Sequence, residues 1–196
     1  RVARGRVRLV GDRATEADLG VRHKIFFAVR PHEEAAQDAY PLARARRGLG
    51  GYLVPPERLH VSLNHVGSGP EVPTHRVERA LEAAAAVAVR PFLLAFNRLA
   101  TFGGKPGDRA VVLWGDDGVA GAFGLHDALH RAPTANGVVR SAAPPFDPHL
   151  TLLRKERDVP PDFIAPVRWW VREFLLIDSI HGEGRHEVLG RWTHKG

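Results

Sequence analysis

Two segments alternate polar and apolar residues with a period of two, Leu59-His60-Val61-Ser62-Leu63 and Pro148-His149-Leu150-Thr151-Leu152. That period predicts strands with one face buried. A fully apolar run at residues 24–29 predicts a further short strand. Residues 33–47 read as a helix interrupted at Pro41 and closed by Gly48, Gly50 and Gly51. A strand is expected at 59–66. The clearest helix follows at 73–89, where Ala, Leu and Val repeat against Arg and Glu, and then a strand at 92–102.

The second half repeats this plan: a strand at 110–114, a helix at 121–131 with Phe123, Leu125 and Leu129 as core candidates, and the second histidine strand at 146–153. Late strands at 169–180 and 186–192 are joined by Gly182-Glu183-Gly184-Arg185, a hairpin turn. Strands and helices in this mixed order predict an α+β fold with an internal pseudo-repeat, one histidine strand in each half.

On a strand, residues i and i+2 share a face. His60 and Ser62 therefore form one pair, and His149 and Thr151 a second. A lone His-x-Ser/Thr turns up by chance in roughly one of every two chains this rich in histidine. Two copies, each with an aliphatic residue in the middle and Leu after, are much rarer. Two imidazoles and two hydroxyls facing one site suit acid–base chemistry on a phosphate ester.

Composition narrows the function classes. The chain has 196 residues, 44% hydrophobic, enough for one core or for two small lobes sharing one. It has no Cys, which removes disulfides, thiolate metal sites and a cysteine nucleophile, and fits a reducing compartment. No apolar run reaches membrane-spanning length. A net charge of +6 favours a polyanionic partner such as RNA. Residues 1–20, polar and rich in Arg, are expected to be an N-terminal extension, with a single two-lobed domain over 21–196.

Other candidates read more plainly. His181 and His186 lack companion ligands and are taken as surface residues, so no metal site is assigned. His65 lies five residues after His60, which on a continuous strand turns it to the opposite face. Gly103-Gly104-Lys105-Pro106-Gly107 lacks the spacing of a phosphate-binding loop and reads as a loop near the site. Among the aromatics, Phe146 is assigned to base stacking, while Trp114, Trp169 and Trp170 are assigned to the core. Asp178 and Ser179 are candidates to line the site.

The chain resembles the 2H phosphoesterases, most closely the bacterial RNA 2′,3′-cyclic phosphodiesterases also called 2′-5′ RNA ligases. The resemblance rests on Ile25-Phe26-Phe27-Ala28-Val29, the stretch from Val54 to Leu63, Ala110-Val111-Val112-Leu113-Trp114-Gly115, the stretch from Pro145 to Leu152, and His186-Glu187-Val188-Leu189. It implies a bilobal fold whose two pseudo-symmetric β/α lobes flank a central cleft, and hydrolysis of 2′,3′-cyclic phosphate RNA ends to 2′-phosphates without metal or cofactor. It implies His60 as proton donor, His149 as proton acceptor and Arg154 as a phosphate-binding residue. Ser62 and Thr151 would donate to the non-bridging oxygens. The partner implied is RNA with a cyclic phosphate end, or a cyclic nucleotide, met in the cytoplasm by a monomer. The alternatives are reversible 2′-5′ ligation, a phosphodiesterase acting on small cyclic nucleotides or ADP-ribose cyclic phosphate, and a non-catalytic module that binds RNA ends.

Overall fold

The computed structural model describes residues 20–45, 51–103, 109–132, 143–155 and 159–193. The expected N-terminal extension, apart from Gly20, and most of the 103–107 glycine loop lie outside the described residues. In chain order the elements are β1 (His23–Val29), α1 (Glu33–Arg44), β2 (Tyr52–Leu53), β3 (Val61–Gly69), α2 (Thr74–Ala85), β4 (Phe92–Phe102), β5 (Arg109–Trp114), α3 (Ala120–Arg131), β6 (His149–Lys155), β7 (Asp162–Val171), β8 (Glu173–Ile180) and β9 (Arg185–Thr193). They build two antiparallel sheets, ordered β3-β1-β8-β9 and β2-β6-β5-β4-β7.

β1 lies inside the first sheet, and Ile25 to Val29 are all buried there, which is why its sequence is an unbroken apolar run. Ile25, Phe27, Val29 and Leu176 join the main core. Phe26, Ala28, Leu175 and Ile177, on the opposite face, form a separate small apolar layer. α1 packs on β6 and β7, α2 on β3 and β9, and α3 on both β3 and β4. Ala122, Leu125, His126 and Leu129 form the buried stripe of α3 at spacings of three and four. A Cβ on Gly121 would sit 2.1 Å from Phe92 Cδ2, so only glycine lets α3 seat this close to β4. No described helix is long and apolar enough to cross a membrane.

Four expectations change. α1 runs through Pro41 without interruption, because Ala39 and Ala43 on either side are buried against the second sheet and that packing outweighs one missing hydrogen bond. Phe123 is 43% exposed, and His126 takes its expected place in the core. The late strand divides at Arg172 into β7 and β8, which belong to different sheets. The sheets are also not the two halves of the sequence. β8 and β9 return from the C-terminus to flank β1, and β2 from the first half edges the second sheet beside β6. The α+β class stands, and the two histidine strands, one from each sheet, touch directly.

Candidate active site

His60 lies between a short 3-10 turn, Pro56–Arg58, and the start of β3. Its Nδ1 is 2.7 Å from the carbonyl oxygen of Arg58. His149, the first residue of β6, places its Nδ1 2.7 Å from the carbonyl oxygen of Asp147. A carbonyl only accepts, so in both rings Nδ1 carries the proton and Nε2 is left for chemistry. The two segments thus share more than strand parity. Each imidazole is pinned to the carbonyl two residues before it, in the same tautomer.

Aromatic rings hold both in place. Phe26 stacks on His60 with centroids 5.1 Å apart, and His186 meets His60 edge-on at 5.1 Å. Phe102 lies 5.3 Å from His149. The neighbourhood of His60 is apolar and positive. Burial, followed by the charges of Arg30, His149 and Arg58, pushes its pKa down to about 4. His186 is pushed down to about 3 by burial, then by His60, Arg58 and Arg30. His149 is among the causes acting on His60, in keeping with the contact between β3 and β6.

Ser62 is exposed and Thr151 half-buried, and no described residue hydrogen-bonds either hydroxyl. Arg154 owes its position to a register shift. Thr151 pairs with Val112, yet Leu153 pairs with Val111 and Arg154 with Ala110. The extra residue in β6 brings Arg154 onto the face of His149 and Thr151, whereas an unbroken strand would turn it away. Across from Arg154 stands Tyr52, whose hydroxyl accepts from Arg58 Nη1 at 3.3 Å. Two Nε2 atoms, two open hydroxyls and the guanidinium groups of Arg30, Arg58 and Arg154 suit an anion whose bonds change by proton transfer.

The sequence profile of the 2′-5′ RNA ligase superfamily matches residues 31–183, a span containing both histidine segments. The chain belongs to that superfamily. No curated protein matches it by sequence. Among solved structures, Escherichia coli LigT complexed with 3′-AMP superposes with a TM-score of 0.67 at 24% identity, over 90% of this chain and 99% of LigT. TT0787 of Thermus thermophilus gives 0.68 at 24% identity, over 88% and 98%. A structure described as a phosphoesterase gives 0.68 at 26%, over 89% and 99%. These are likenesses of fold, and they agree with the 2H phosphoesterase architecture implied by the sequence.

Within this superfamily member, some sequence assignments shift. Phe146 is half-buried, stacked on His126 at 4.3 Å and packed against Phe123 of α3. Its ring is committed to packing, and the aromatics beside His149 are Phe102 and Trp114, the latter paired with His149 in the sheet. Asp178 is buried and bonded to His23 Nδ1 at 2.7 Å on the core face, whereas Ser179 pairs with His186. His65 pairs with Phe26 just as Ser62 pairs with Ala28, so the register shift between these pairs returns it to the face of Ser62. His186, read as a surface residue, is the clearest omission. The only signal for it was its place in a resembling segment, because its contact with His60 depends on β9 reaching the first sheet.

The depressed pKa of His60 has a stability consequence. The folded state holds the ring neutral down to about pH 4, while the unfolded chain protonates it near 6.5. The unfolded state therefore binds more protons between those values, and stability falls as pH drops through that window. Moving from pH 7.5 to 5 should cost up to about 2 kcal/mol through this residue. Urea unfolding at the two pH values should show His60→Gln losing less stability than the wild type; equal losses would contradict the burial argument.

Proposed function

We propose that this protein hydrolyses 2′,3′-cyclic phosphate ends of RNA to 2′-phosphates. The observation that carries the reading is the pair of histidines, each held by Nδ1 with Nε2 left for chemistry, on two segments whose strands are in contact. Water attacks phosphorus and gives up its proton to one imidazole. The bond to the 3′-oxygen breaks, and that oxygen takes a proton from the other. Ser62, Thr151 and Arg154 meet the charge gathering on the non-bridging oxygens. LigT, which shares the fold, has been crystallised with 3′-AMP and with phosphate, so the fold accepts a nucleotide monophosphate and a free phosphate. A cysteine-free chain suits a cytoplasmic setting.

The family resemblance assigns His149 as acceptor and His60 as donor. With a pKa of about 4, His60 is neutral at pH 7 in the empty site, and charging it costs about 4 kcal/mol. A phosphate charge about 4 Å away contributes roughly 1–4 kcal/mol toward that, depending on screening. In this reading the bound anion supplies the field that protonates its own acid. The same low pKa favours a second reading with the roles exchanged, in which neutral His60 takes the proton from water.

The function is tested by assaying an oligonucleotide ending in a 2′,3′-cyclic phosphate and a 2′,3′-cyclic mononucleotide, each with and without EDTA. A 2′-phosphate product in the presence of EDTA is the expected result. RNA binding with neither substrate consumed would instead indicate a binding module.

A further inference from the structure

One row of side chains runs straight across the second sheet from the site to its edge. His149 on β6 pairs with Trp114 on β5, Trp114 with Arg98 on β4, and Arg98 with Phe163 on β7. The Arg98 guanidinium lies over both neighbouring rings, 5.0 Å from the Trp114 centroid and 4.7 Å from that of Phe163. Arg98 Nη2 donates to the Asp116 carboxylate at 2.5 Å, which holds the stack together. Phe163 ends the row on an edge strand and is 72% exposed. On the same face of β7, exposed Arg168 precedes Trp170, itself 52% exposed.

One register shift produces this surface. Between Phe96 and Arg98 the pairing with β7 skips from Val167 to Phe163, which turns Arg98 away from the core that Phe96 enters. Pro166 occupies the extra loop of β7, where no ladder hydrogen bond is required of it. Large aromatic rings on an open sheet edge are a liability unless something covers them.

We infer that this row is a subsite for single-stranded RNA, which carries the nucleotides preceding the cyclic phosphate away from His149 toward Phe163 and Trp170. Three inter-strand steps of about 4.8 Å make the row roughly 14 Å long, room for two or three nucleotides. Aromatic faces with interspersed arginines suit a nucleic acid strand better than a protein, because every base has a face to stack and every link carries a charge. The inference rests on the proposed function and adds a substrate class to it: the enzyme should prefer oligonucleotide ends to free cyclic mononucleotides.

The test compares kcat/KM on a 2′,3′-cyclic mononucleotide and on a pentanucleotide ending in the same group, for wild type, Phe163→Ala and Trp170→Ala. Wild type should favour the pentamer by about tenfold or more, the scale of stacked bases. Each variant should lose about fivefold or more on the pentamer while its mononucleotide rate stays level. Equal rates for wild type on both substrates, or losses equal on both, would overturn the subsite. Fluorescence anisotropy of a labelled pentamer ending in a simple 3′-phosphate separates the two ideas. If neither cyclic substrate turns over but Phe163→Ala still weakens this binding, the hydrolytic reading fails and the subsite stands. If turnover is normal and binding is unchanged in both variants, the subsite fails alone. Sedimentation showing a wild-type dimer that Phe163→Ala dissociates would make the edge a self-association surface and overturn the inference.

Discussion

His60→Ala and His149→Ala should each lower kcat/KM on a 2′,3′-cyclic phosphate by about 10²–10⁴-fold, the usual contribution of one general acid or base. Neither imidazole supports the main core, and each ring is placed by a bond to a local carbonyl and by aromatic contact, so both variants should fold. A second substrate tells the roles apart. With a bis(p-nitrophenyl) phosphodiester the leaving phenolate departs without a proton, and only the base remains essential. If His60 is the acid, His60→Ala should recover most of wild-type activity on that ester while His149→Ala stays inactive. The opposite pattern would exchange the roles and agree with an imidazole kept neutral down to about pH 4. Near-full activity of either variant on the cyclic phosphate would remove the acid–base pair altogether.

The histidine–hydroxyl pairs were legible because they depend on one strand's parity, a local property of the chain. Val61 and Leu63 are buried between the polar positions of β3, as are Leu150 and Leu152 in β6. What escaped the sequence depends on how strands are paired. The face of Arg154 is set by an extra residue in β6 relative to β5, and the face of His65 by one shift of β3 against β1. His186 reaches His60 only because β8 carries β9 back to the first sheet. Phe146 and Trp114 depart from their expected places for a similar reason. α3 supplied a stacking partner for Phe146, while the pairing of β5 with β6 set Trp114 beside His149. Parity holds within a strand; a bulge or a sheet crossover resets it without leaving a mark in composition.

Thr151→Val should cut kcat by about 10²–10³-fold with little change in KM, and Ser62→Ala by less. An attacked phosphate gathers charge on its non-bridging oxygens, and a donor aimed there acts mainly in the transition state, where removing one typically has that effect. Neither hydroxyl is engaged by a described residue, so its proton is available to substrate. Valine keeps the shape of threonine and its strand preference, which confines the change to the lost donor. The ranking follows from exposure. Thr151 is half-buried and Ser62 is open to solvent, and the same hydrogen bond is worth more where water screens it less. Thr151→Ser and Ser62→Thr keep the hydroxyl and should stay within a few-fold of wild type. A raised KM with kcat intact would instead assign the two hydroxyls to binding the ground state, leaving Arg154 and the neighbouring cations to carry the charge of the transition state.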